Sequence, residues 1–151
     1  MNHQYLTNLL FISITCTIIT FEINAQVATN NDLIHSVIED YILGWQNADI
    51  ARLSRAFEVN EGRIIWTSDS EDGEVLRSIT FGESLERRKV QPTYGKKWEI
   101  LNLDIVEGRL GVAKVFISTK KGYYIDYLTL QKIDNQWKIV TKMFVYFEDG
   151  S

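Results

Sequence analysis

The chain has 151 residues, 45% of them hydrophobic, with a single proline and a single cysteine, which suits one cored domain and excludes a disordered chain or a disulfide scaffold. Twenty acids against sixteen Lys and Arg give a formal charge of −4. The bases fall in short groups, Arg87-Arg88-Lys89, Lys96-Lys97 and Lys120-Lys121, of the kind that sit solvated at helix ends and turn tips, so no nucleic-acid partner is expected.

Leu9 to Phe21 is an apolar and hydroxylic run of 13 residues without a charge. It is shorter than the ~20 residues that span a bilayer and matches the core of a secretory leader. Ile23-Asn24-Ala25 supplies the small-residue pattern of a cleavage site, so the expectation is a signal peptide over 1–25 and a secreted or periplasmic domain over 26–151, with no membrane association after cleavage. Met1 to Asn8 contains neither Lys nor Arg, which keeps a retained N-terminal anchor as the alternative. Cys16 leaves with the leader, and the mature chain then has no disulfide, thiol nucleophile or cysteine metal ligand.

In the mature chain Asp32 can cap a helix in which Leu33, Val37, Tyr41 and Trp45 recur at helical spacing, with Ile34, Ile38 and Ile42 widening the stripe. Asn47-Ala48-Asp49 breaks it, and Asp49 caps a second helix, Ile50 to Phe57, with Leu53, Ala56 and Phe57 on its apolar side. Gly62 opens a strand, Arg63 to Thr67, and the polar run Ser68 to Gly73 reads as a loop. Thr80 and Glu83 form a capping box for a third helix to about Lys89, and Pro92 and Gly95 close that segment. Strands follow at Trp98 to Glu107 and Leu110 to Ser118. Tyr123 to Phe147 then reads as a β-hairpin turning on Asp134, Asn135 and Gln136. The order α, α, β, α, β, β, β, β predicts an α+β fold with about three N-terminal helices on one face of a curved antiparallel sheet, able to enclose a pocket.

Asp126 is an acid inside this β-forming hairpin. Its face carries Tyr124, Leu128, Leu130 and Lys132, so the carboxylate is expected on the buried side. If Lys132 faces Lys138, Asp126 falls opposite Phe144 and diagonal to Lys142, with Val140 and Tyr146 completing the second arm's face. An acid, a base and aromatic rings would share one concavity. His35 is the only histidine of the mature chain, so no histidine-based dyad or metal site is available, and no Gly-rich phosphate loop, zinc spacing or repeat occurs; no cofactor or metal is expected.

These residues resemble a family. The helix pair with Trp45-Gln46-Asn47-Ala48-Asp49-Ile50, the early strand, the capped third helix and the terminal meander look like the NTF2-like, or SnoaL-like, cone. The stretches Asp126-Tyr127-Leu128-Thr129-Leu130-Gln131-Lys132 and Asn135-Gln136-Trp137-Lys138-Ile139-Val140-Thr141-Lys142-Met143-Phe144 are similar to the ending of its putative lumazine-binding branch. The resemblance implies a cone-shaped domain with a mostly apolar pocket between sheet and helices, often homodimeric through the outer face of the sheet. It does not imply a reaction, because one fold hosts isomerases, cyclases, dehydratases and noncatalytic binders.

Laid on the ketosteroid isomerases of the same superfamily, Tyr41 matches the oxyanion-hole tyrosine and Asp126 its acidic partner. The strand position of the proton-moving base falls on Ile65 or Trp66, neither of which can accept a proton. A lysine near Asp126 also favours the ionised carboxylate over the neutral acid that such a hole needs. The leading expectation is noncatalytic binding of a small apolar or planar molecule, with Tyr41, Trp45, Trp66, Asp126, Lys142, Phe144 and Tyr146 as the ligand-binding residues. One alternative is an isomerase or dehydratase using Asp126 and Tyr41 with a base from Asp69 or Asp72. The other is a structural dimerisation module, in which Ile125, Tyr127 and Met143 form an apolar interface.

Overall fold

A computed structural model describes residues 30–87 and 97–149 of the chain. The expected leader and its cleavage site, and Lys89, Pro92 and Gly95, lie outside those residues. Internal contacts divide the chain into 1–33 and 34–151; of the first unit only the helical residues 30–33 are described, and the second holds everything below.

Helix α1 covers residues 30–47. From Ile34 onward its apolar stripe, Ile34, Ile38, Tyr41, Ile42 and Trp45, is buried, as the 3.6-residue period requires. Ala48 at φ 58° ends it. Asp49 then accepts a hydrogen bond from the Arg52 N–H at 3.0 Å and starts α2, Ile50–Ala56. Phe57 closes α2 and lies stacked on Phe81, 3.9 Å between ring centroids. The capping box opens α3, Phe81–Arg87: the Thr80 N–H donates to Glu83 Oε2 at 2.9 Å and the Glu83 N–H to Thr80 Oγ1 at 3.1 Å.

Six strands form one curved, unclosed sheet: β1 Arg63–Ser70, β2 Gly73–Thr80, β3 Trp98–Val106, β4 Leu110–Ser118, β5 Gly122–Ile133 and β6 Gln136–Glu148, in the order β2-β1-β6-β5-β4-β3. Two features differ from the expectation. The segment expected to leave β1 as a loop from Ser68 instead continues the strand and returns as β2. The sheet is mixed, because β1 joins β6 in parallel while every other pair is antiparallel.

The β5–β6 hairpin carries a third difference. Asp134 and Asn135 both have positive φ, 47° and 62°, so the turn has two residues of type I′ character, and Gln136 already belongs to β6. This sets Lys132 opposite Trp137 rather than Lys138. A register shift between Thr129 and Leu130 leaves Val140 unpaired, and beyond it Asp126 faces Phe144 and Leu128 faces Lys142. The bulge exchanges the two faces of β6: Trp137 and Ile139 point inward before it, Lys142 after it, and Val140 does not share the expected face. The core lies between this inner sheet face and the helices, with Leu128, Leu130, Trp137, Ile139, Val115 and Ile117 against the stripe of α1 and Leu53 and Ala56 of α2.

Candidate functional site

Tyr41 projects from the middle of α1 into the sheet because it holds the central position of the apolar stripe. Its hydroxyl donates to Asp126 Oδ2 on β5 and accepts a hydrogen bond from Lys142 Nζ on β6. Lys142 Nζ also lies 2.9 Å from Asp126 Oδ2. Tyr41 and Asp126 are 0% exposed and Lys142 5%, so an acid, a cation and a phenol meet where water is excluded. Such a cluster survives burial only because each charge has a partner. Asp126 Oδ1 is the exception: it is buried and has no hydrogen-bond partner among the described residues.

Aromatic rings surround the cation. Lys142 Nζ is 4.9 Å from the centroids of Tyr41 and Phe144 and 6.0 Å from that of Tyr124. Tyr124 meets Phe144 edge-on at 5.8 Å and Tyr146 at 4.9 Å. Pairing across the hairpin puts Tyr124 opposite Tyr146 and Asp126 opposite Phe144, so these four share the inner face and lead from the buried cluster toward the open end of the strands.

The seven residues singled out in the sequence separate as follows. Tyr41, Asp126, Lys142 and Phe144 are in direct contact, and Tyr146 extends them through Tyr124, whose place on the even-numbered face was legible although it was not among the seven. Trp45 is 3% exposed within the core one turn after Tyr41. Trp66, on β1, is partly buried against the core. His35 is exposed and its ring lies 5.3 Å from that of Trp98. Among the described residues no group of three or more His, Cys, Asp or Glu is placed to hold a metal, and no helix is long and apolar enough to cross a membrane.

The helices, the mixed curved sheet and the buried cluster between them define an NTF2-like α+β cone. Its fold matches NTF2-like proteins of unknown function from Shewanella baltica OS155 and Methylobacillus flagellatus KT. The first has 20% identity and a TM-score of 0.67 over 81% of this chain and 97% of that one. The second has 22% identity and a TM-score of 0.65 over 79% and 93%. A type 2 hexachlorocyclohexane dehydrochlorinase, LinA, matches at 14% identity with a TM-score of 0.54 over 82% and 88%. Residues 29–145 match the family described as putative lumazine-binding, and the chain belongs to that family. No curated protein matches the sequence.

Proposed function

We propose that the domain binds a small planar or largely apolar molecule on the inner face of the cone and leaves it chemically unchanged. The observation that carries this reading is Asp126 Oδ1, a buried acceptor without a partner among the described residues, on a residue that pairs with Phe144 across the hairpin and shares its strand face with Tyr124. The large majority of buried side-chain acceptors are satisfied, and a heterocycle with a ring N–H would satisfy this one while lying against the aromatic faces. Tyr41 and Lys142 hold the carboxylate in place; Trp45, Trp66, Phe144 and Tyr146 supply apolar and aromatic lining. The description of the family supports a small planar ligand.

Proton transfer fits less well. Ile64 pairs with Lys142 in the β1–β6 ladder, and Asp69 lies five residues further along β1, about 16 Å at ~3.3 Å per residue. Asp69 and Asp72 are both exposed at the β1–β2 turn, and the intervening Ile65 and Trp66 are not bases. Thermal denaturation of the full chain with lumazine, riboflavin and a steroid tests the reading: lumazine or riboflavin raises the melting temperature, and no rise with any of the three overturns it. We also propose that residues 1–25 are removed on export. Intact mass of the protein from its native envelope fraction then corresponds to a start at Gln26, and an uncleaved mass overturns this.

A further inference from the structure

The β1–β6 ladder is three residues long, from Arg63 opposite Thr141 to Ile65 opposite Met143. Beyond it β1 runs on to Ser70 paired only with β2, and β6 runs on to Glu148 paired only with β5. The sheet therefore divides into two wings, and between them lies a cleft of about 480 Å³, within the ~300–1,000 Å³ of small-molecule sites. Trp66, Thr67 and Leu76 form one wall, and Tyr127, Val145 and Phe147 belong to the other. Exposed apolar side chains on this scale mark a binding surface: Leu76 is 70% exposed and Val145 58%.

Lys114 of β4 is the one charged residue of the lining. It is paired with Tyr127 across the strands, with Nζ 5.8 Å from that ring's centroid, and among the described residues no carboxylate forms an ion pair with it. An apolar trough with one unmatched cation is complementary to an apolar tail with one negative head. We propose that the cleft binds a single-chain carboxylate amphiphile of medium length, with its tail between the wings and its head on Lys114. A second copy of the chain is disfavoured by charge: a two-fold interface over this lining would bring in a second Lys114, with no acid among the lining residues to pair either cation.

The cleft does not rest on the proposed inner-face site, although Trp66 and Phe144 border both. Isothermal titration of the full chain with decanoate and decan-1-ol tests it. Decanoate is expected to bind about tenfold more tightly than the alcohol, the value of one charge-assisted contact. Lys114→Met erases that preference, and an arginine from either wall, Val145→Arg or Leu76→Arg, removes binding of both probes; the two block the cleft independently, so misfolding of one leaves the other to decide. Equal affinities in the unmodified chain, a preference that survives Lys114→Met, or decanoate binding that survives both arginine variants overturns the proposal. So does light scattering that shows a dimer split by Val145→Arg, since a second copy would then occupy the face.

Discussion

Tyr41 of α1 meets Asp126 and Lys142 from the two arms of a hairpin some eighty to a hundred residues later, and the three satisfy one another in a dry interior. Their attraction is offset by the desolvation of both charges, so the cluster contributes little net stability as a set, yet removing one member strands the others. Lys142→Met is expected to lower the unfolding free energy in urea by about 3–5 kcal/mol, the cost of an uncompensated buried charge. The triple variant Tyr41→Phe, Asp126→Leu, Lys142→Met recovers most of that loss, because no polar group remains unpaired; a triple variant as unstable as the single one would show that the cluster stabilises the fold by itself. Gly62 is a second residue under constraint: a Cβ there would lie 2.3 Å from the Glu58 carbonyl oxygen and 2.8 Å from Phe81 Cδ2. Gly62→Ala should cost about 1–3 kcal/mol in the same assay, as overpacking does. The site was legible in part. An acid on an otherwise apolar strand face announced Asp126, and hairpin pairing brought Lys142 and Phe144 with it. Tyr41 carried no such signal within its helix, where a tyrosine in an apolar stripe is more often core, and only the resemblance to ketosteroid isomerases singled it out.

Each element ends where its chemistry changes, and two of those ends can be tested. The turn after α2 is held by the Glu58 carboxylate, which accepts from the N–H groups of Glu61 at 2.6 Å, Gly62 at 3.1 Å and Asn60 at 3.4 Å. The Glu61 contact foremost, and the other two, hold this carboxyl below the ordinary value of 4.5, against the opposing effect of burial. With the folded value the lower one, the contribution is complete above 4.5 and is lost as pH falls through the folded value. Glu58→Gln should therefore flatten the acid limb of the stability curve below about pH 4.5, and an unchanged limb would show that the turn does not depend on the charge. At the β5–β6 turn, Asn135 at φ 62° occupies a left-handed conformation that β-branched residues avoid. Asn135→Val is expected to cost about 1–3 kcal/mol by thermal denaturation while Asn135→Gly costs nothing. Polar turn residues made this hairpin readable, but the bulge at Val140 was not, because apolar residues occupy both faces of the arm, Trp137 and Ile139 on one and Val140 and Phe144 on the other, so the alternation marks no break. β2 was missed for the opposite reason: Gly73–Thr80 is an edge strand, largely exposed on both faces, so it shows no alternation of apolar and polar residues.

For the whole molecule the consequential feature is that two wings share only three ladder pairs. β3 to β6 form long antiparallel ladders whose inner residues, Val115, Ile117, Leu128, Leu130 and Ile139, are fully buried. The β1–β2 wing has no comparable load: of its sixteen residues only Ile64 is buried, and it is pinned near its base by the Phe57–Phe81 stack and by the bond from the Phe81 N–H to the Gly62 carbonyl at 3.0 Å. No local sequence pattern disclosed this division, since a parallel join between β1 and β6 depends on residues almost eighty positions apart. Local opening follows the number of buried apolar contacts rather than the number of hydrogen bonds. Native-state hydrogen exchange should therefore show the amides of residues 66–78 opening at a small fraction of the global free energy, while those of residues 126–130 exchange only on global unfolding. Decanoate, bridging the wings in the cleft, binds neither the opened wing nor the unfolded chain, so it should slow exchange at 66–70 and at 126–130 by the same factor, set by its concentration and affinity. Equal protection of the two segments without ligand would mean that the three-pair ladder and the aromatic stack suffice to make the sheet one cooperative unit.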